Sequence, residues 1–207
     1  MIKNYDQLTS LEIDTLREIG SIGTGNAATA LSQMMNRPIR ITLPEVRIME
    51  YNEAIEWIGG PEEITAGVLV KMSGDVGGIM LSVQKLELVN VVLNTMLGVS
   101  IDNYDHLNEL ERSAMIEIGN IMISTFINAM SGLADLNIKL TVPAFAVDMQ
   151  GAILTVPMAE YGGMSNYLMA IGGNFVCDGQ EIPCHLLLSP DLRSLDFLLR
   201  KLGVSDG

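Results

Sequence analysis

Apolar residues recur at helical intervals along residues 9–35: Leu11, Ile13, Leu16, Ile19, Ile22, Ala27, Ala30, Leu31 and Met34. This spacing predicts an amphipathic helix. Thr9, with Glu12 three residues later, has the form of a capping box at its start, and Asn36-Arg37-Pro38 stops it. Shorter apolar runs at 39–43 and 46–50 predict strands, interrupted by Pro44, which cannot donate to a ladder. Residues 65–72 (TAGVLVKM) and 77–84 (GGIMLSVQ) predict two more strands joined by SGDV. Residues 85–97 predict a helix ended by Gly98.

The pattern then restarts. Asn108 with Glu111 predicts the cap of a second long helix over 109–134. Strands are predicted over 138–142, 145–149, 152–160, 165–173 and 182–189, and a last helix over 191–201. The restart is an internal repeat. Shifted by 99 residues without a gap, 14–50 and 113–149 share nine identities in 37 positions. Glu18, Ile19, Gly20, Ile22, Ala30, Ser32, Ile39, Thr42 and Pro44 meet Glu117, Ile118, Gly119, Ile121, Ala129, Ser131, Ile138, Thr141 and Pro143. The ends match too, NTMLGVS (94–100) against LRKLGVS (199–205). The expected fold is therefore α+β. It is a pseudo-two-fold duplication of a helix–strands–helix unit, with a mainly antiparallel sheet and two long motif-bearing helices. The copies, about 9–100 and 108–205, are expected to share one core in a single domain spanning 1–207.

Composition narrows the function classes. Hydrophobic residues form 48 % of the 207, enough for a substantial core, and the formal net charge is −13. An acidic surface repels nucleic-acid phosphates and anionic membranes, so the expected partner is a protein. The N-terminus is polar and no apolar run approaches the ~18 residues that span a bilayer. Two cysteines, Cys177 and Cys184, have no metal-binding spacing, and with no signal peptide the expected location is the cytoplasm. The two histidines, His106 and His185, sit in no catalytic motif.

Gly23-Thr24-Gly25-Asn26-Ala27-Ala28 fits the dinucleotide fingerprint G-x-G-x-x-G/A. That motif must follow a buried strand and open a helix. Here TSLEIDTLREIGSI precedes it and the glycines fall inside a helix, so they are expected to let two helices approach closely. The second copy has Met122, Ile123, Ser124 and Ile127 at the positions of Gly23, Thr24, Gly25 and Ala28, so the repeated unit does not need the fingerprint.

What both copies keep is an acid, a short polar residue three further on, and a proline 23 beyond that. These are Glu117, Asn120 and Pro143 after Ser113, and Glu18, Ser21 and Pro44 after Asp14. Positions i, i+4 and i+7 share a helix face, so each copy carries one polar stripe. One such stripe is ordinarily a solvated face. Its recurrence at fixed spacing in both copies points beyond solvation.

The doubled pattern D/S-x3-E-x2-N-x22-P, together with LREIGSIGTGNAATALSQMMNRPI, AMIEIGNIMIS and VPAFAVDMQGAIL, resembles the CheC family of chemotaxis proteins over essentially the whole chain. That family is itself similar to CheX and to the middle domain of the flagellar switch proteins FliY and FliM. The resemblance implies a phosphatase for the phosphorylated response regulator CheY. It implies that Glu117 pairs with the regulator's lysine and that Asn120 enters the regulator's active site and positions the attacking water. Ser113 stands at the D/S position without a catalytic role. No cofactor or metal is expected on this chain; Mg²⁺ belongs to the phosphorylated partner. Copy one departs from the pattern, because Ser21 stands where asparagine is expected. Glu18 and Ser21 are then either a weak site or one that docks a regulator unproductively, and Asn26, about 80° round the helix from Glu18, is no substitute.

Two other readings stay open. CheC relatives also bind the receptor deamidase CheD, and the resemblance places that surface between the repeats, at about 85–106. A flagellar-switch component is the third. LEIDTL (11–16) is faintly similar to the switch proteins' regulator-binding peptide, but it lies in the capped helix and the chain ends at Gly207. A monomer is expected, since the two copies pack within one chain.

Overall fold

The computed structural model describes residues 8–42, 45–161 and 167–204. Two 26-residue helices, α1 (Ser10–Met35) and α4 (Glu109–Ala134), open the two copies. Both begin at the boxes read from the sequence. Thr9 Oγ1 accepts from Glu12 N–H at 3.3 Å, and Asn108 Oδ1 accepts from Glu111 N–H at 3.0 Å. Asn36 and Asp135 end them in the left-handed conformation.

After α1 come β1 (Ile39–Ile41), β2 (Glu45–Glu50), α2 (Tyr51–Ile58), β3 (Ile64–Gly74), β4 (Gly78–Gln84) and α3 (Leu86–Leu97). After α4 come β5 (Ile138–Leu140), β6 (Ala144–Met149), α5 (Gln150–Tyr161), β7 (Tyr167–Cys177), β8 (Gln180–Pro190) and α6 (Leu192–Lys201). The strands form one eight-stranded antiparallel sheet in the order β1-β7-β8-β4-β3-β5, with β2 also on β7 and β6 also on β3. The α+β duplication expected from the repeat is the observed fold.

The copies exchange strands. β1 and β2 of copy one pair with β7 of copy two, and β5 and β6 pair with β3 of copy one. Each crossing is pinned by a threonine that both copies keep. Thr42 N–H donates to Asn174 O at 3.0 Å while its Oγ1 accepts from Asn174 N–H at 2.8 Å. Thr141 makes the same pair of bonds to Lys71, 3.0 Å each way. The threonine thus carries the ladder across the break before the proline. Pro143 is half-buried, and Pro44 lies outside the described residues.

One face of the sheet packs under α1, α3, α4 and α6 around Phe126, Val68, Met80, Ile171 and Leu195. The other packs under α2 and α5 around Tyr51, Leu81, Ile153 and Leu187. β4 is buried along its whole length, because its two faces feed both layers. α1 and α4 lie against each other. A methyl group on Gly23 would fall 2.9 Å from Phe126 Cα, so that glycine does serve close helix approach. Gly25 has nothing within 4 Å of such a methyl and serves no such contact.

Two readings are corrected, the strand at 152–160 and the place of Leu11. The strand expected at 152–160 is helix α5. The outer edge of β3 pairs with β6 only as far as Ile64 opposite Met149, so no partner edge remains. Gln150 N–H donates instead to Glu63 O and its side chain to Ile55 O, turning the chain into a helix that buries Ile153 and Leu154. Helix α2, with no counterpart among the sequence expectations, sits 99 residues before α5. Leu11, counted in the apolar stripe of α1, is exposed. The strand expected at 165–173 runs as β7 from Tyr167, residues 165–166 lying outside the described residues.

Among the described residues no helix is long and apolar enough to cross a membrane, and no group of three or more His, Cys, Asp or Glu could hold a metal ion.

Candidate functional site

The motif of copy two lies in the first half of α4, on the side away from the sheet. Ser113 and Glu117 are exposed and Asn120 is half-buried, while Ala114, Met115, Ile118 and Gly119 between them are buried. The helix therefore turns its polar stripe outward because its apolar neighbours are taken up by the core. Among the described residues neither the Glu117 carboxylate nor the Asn120 carboxamide has a hydrogen-bond partner. Ser113 Oγ donates back to Glu109 O at 2.8 Å, so its proton is committed to its own helix. That suits a residue outside the chemistry.

The floor under this turn is unusually close. A methyl group on Gly119 would lie 2.6 Å from Val68 Cβ and Cγ2 and 2.8 Å from Gln84 Nε2. Gln84 is buried and donates through Nε2 to Met115 O at 2.9 Å, and its main-chain carbonyl accepts from Tyr104 Oη at 3.0 Å. Burial, together with the charges of Glu87 and Glu63, pushes the Tyr104 phenol up, so it remains a donor. A buried amide on β4 thus grips the carbonyl one turn before Gly119, and α4 is seated on the sheet beneath Glu117 and Asn120.

Copy one presents the same stripe with different partners. Glu18 is exposed and Ser21 half-buried. Ser21 Oγ donates to Arg17 O at 3.1 Å. Asp14 forms an exposed ion pair with Arg17 at 2.7 Å, where copy two has the uncharged Ser113 and Ile116. The two stripes lie on separate helices, α1 and α4. The sequence reading missed the seating residues Gly119, Val68 and Gln84 and the crossing role of Thr42 and Thr141. The signal was present, since Gly20/Gly119 and Thr42/Thr141 are among the repeat identities.

The larger concavities are elsewhere. A groove of about 780 Å³ is lined by Arg17, Arg47, Glu53 and Trp57. Another of about 760 Å³ lies between α3 and the β7–β8 hairpin, lined by Asn90, Asn94, Asp178 and Glu181. Neither includes Glu117 or Asn120. A carboxylate and a carboxamide on a convex helix face enclose no small molecule. They suit a substrate that brings its own cleft, as another protein does. Cys177 and Cys184 are both buried and free.

The CheC-like family model matches this chain twice, over residues 11–48 and 110–147, the same 99 residues apart as the repeat. The chain is 27 % identical over 205 residues to the CheY-P phosphatase CheC of Bacillus subtilis, covering 97 % of this chain and 98 % of that protein. It is 29 % identical over 143 residues to the flagellar motor switch phosphatase FliY of the same organism, covering 69 % of this chain and 37 % of FliY. In fold it is similar to Thermotoga maritima FliY, with a TM-score of 0.75 at 22 % identity over 95 % of this chain and 98 % of that one. The CheX–CheY complex with BeF3 and Mg²⁺ from Borrelia burgdorferi gives a TM-score of 0.51 at 17 % identity, covering 82 % of this chain and 96 % of that one.

Proposed function

We propose, from the two matches to the CheC-like family model and the likeness to CheC along nearly the whole chain, that this is a CheC-like protein that hydrolyses the aspartyl phosphate of a CheY-type response regulator, acting mainly through Glu117 and Asn120. The observation that carries this reading is the unpaired acid and amide on the outward face of α4, held over a tightly seated helix turn. Glu117 docks on the regulator's lysine. Asn120 enters the regulator's cleft, where its carboxamide accepts from and donates to one water. The water oxygen attacks phosphorus, the bond to the aspartyl oxygen breaks, and the carboxylate leaves with its electron pair. Acyl phosphates have good leaving groups, and phosphoryl transfer needs mainly positioning and charge stabilisation, the latter supplied with the regulator's own Mg²⁺.

On this account copy one is weak because the Ser21 hydroxyl is shorter than a carboxamide and its proton is already given to Arg17 O. The test is phosphate release from a phosphorylated CheY-type regulator. Wild type accelerates it, Asn120→Ala removes the acceleration, and Glu117→Ala weakens it through docking. Full activity in Asn120→Ala rejects the site.

A second reading, a regulatory partner of the deamidase CheD, is favoured by the groove beside α3 in the region the resemblance points to. Co-purification with CheD, lost when Asn94 is changed to Arg, tests it.

A further inference from the structure

We propose that Leu110 is an apolar anchor for the response regulator, extending the docking face of α4 about two turns beyond Glu117. This rests on the phosphatase reading above. Leu110 is the second residue of α4 and is 63 % exposed. It belongs to none of the buried clusters. Its amide donates to the Asn108 cap at 2.9 Å, so the residue is held in regular helix rather than in a fraying end.

Its position relates it to the site. Seven residues at about 100° each return to within roughly 20° of the same direction, so Leu110 and Glu117 share one face. The rise places Leu110 about 10 Å from Glu117 and about 15 Å from Asn120 along the axis. A standard interface covers ~800 Å² on each partner, which takes in a stripe of that length. A regulator whose lysine meets Glu117 therefore also covers Leu110.

Copy one repeats the arrangement. Leu11, 99 residues earlier and seven before Glu18, is 61 % exposed. Glutamate, lysine and arginine form helices about as well as leucine, so local folding does not call for a solvated leucine at both positions. Its helix neighbour Glu109 and the site's Glu117 are both exposed acids. The occupant is thus a protein surface with a basic group facing Glu117 and an apolar spot about 10 Å from it.

The experiment measures turnover of the phosphorylated regulator and, separately, binding of the regulator trapped with BeF3 and Mg²⁺. Leu110→Ala is expected to raise KM and weaken binding about tenfold, with kcat within twofold. Leu110→Met restores both. Leu133→Ala removes a half-exposed leucine at the far end of α4 and changes neither. Wild-type KM and binding in Leu110→Ala overturn the anchor and leave the phosphatase reading standing. Leu110-dependent binding without turnover keeps the anchor and rejects the phosphatase. Neither binding nor turnover in the wild type rejects both.

Discussion

Replacing Gly119 by alanine should damage activity far more than stability. The added methyl falls 2.6 Å from two carbons of Val68 and 2.8 Å from Gln84 Nε2. Val68 is fully buried and its Cβ is fixed to the backbone of β3, while Gln84 is held to Met115 O and cannot swing aside without losing that bond. Relief requires α4 to lift by about 1 Å. Overpacking of this kind costs about 1–3 kcal/mol, partly offset by the ~1 kcal/mol that alanine gains over glycine inside a helix. The net loss is about 0–2 kcal/mol, a drop of no more than about 8 °C in Tm for a chain of this size. The same 1 Å moves Asn120, the next residue, and misplacement on that scale lowers turnover by up to ~10²-fold. The assay pairs thermal unfolding with phosphate release from the phosphorylated regulator. Wild-type turnover with a raised Tm in Gly119→Ala would refute the seating argument.

Gly25→Ala should do the opposite. The methyl meets nothing within 4 Å, so the gain of up to ~1 kcal/mol in helix stability appears as a higher Tm with turnover unchanged; a lower Tm contradicts it. His185 predicts an acid-sensitive fold. It is buried, edge-to-face with Trp57 at 5.1 Å, and burial, with the Lys85 charge, lowers its pKa from 6.5 to about 4. Unfolded, it takes a proton near pH 6.5; folded, it resists until about pH 4. Its contribution is therefore complete above 6.5 and lost as pH falls toward 4, by about 2 kcal/mol at pH 5. Urea unfolding at pH 7.5 and 5 should show a smaller acid loss in His185→Gln than in wild type, and equal losses refute the assignment.

The long helices were legible because their caps and periodicity agree, and the exchange-ready duplication because the repeat is ungapped. The break before Pro143 was legible too, but not the threonine bonds that carry the ladder past it, since those bonds cross between copies. α5 was misread because GAILTVPMAEY is apolar and partly β-branched in any setting; what makes it a helix is that β6 stops at Met149, opposite the first residue of β3, Ile64, and Gln150 is tied to Glu63 and Ile55. The repeat could have corrected this, since Tyr51 and Gln150 are 99 residues apart and both begin helices. For the candidate site, spacing alone placed Ser113, Glu117 and Asn120 on one outward face. The grip of Gln84 on Met115 O links residues 31 apart and leaves no trace in local pattern.

The central claim is that one carboxamide in copy two carries the chemistry. It is tested most directly by the lifetime of the phosphorylated regulator with a folded Asn120→Ala variant. Positioned water of this kind contributes about 10²–10⁴-fold. The predicted result is a lifetime returned close to that of the regulator alone, with binding retained through Glu117. A lifetime as short as with wild type would contradict it.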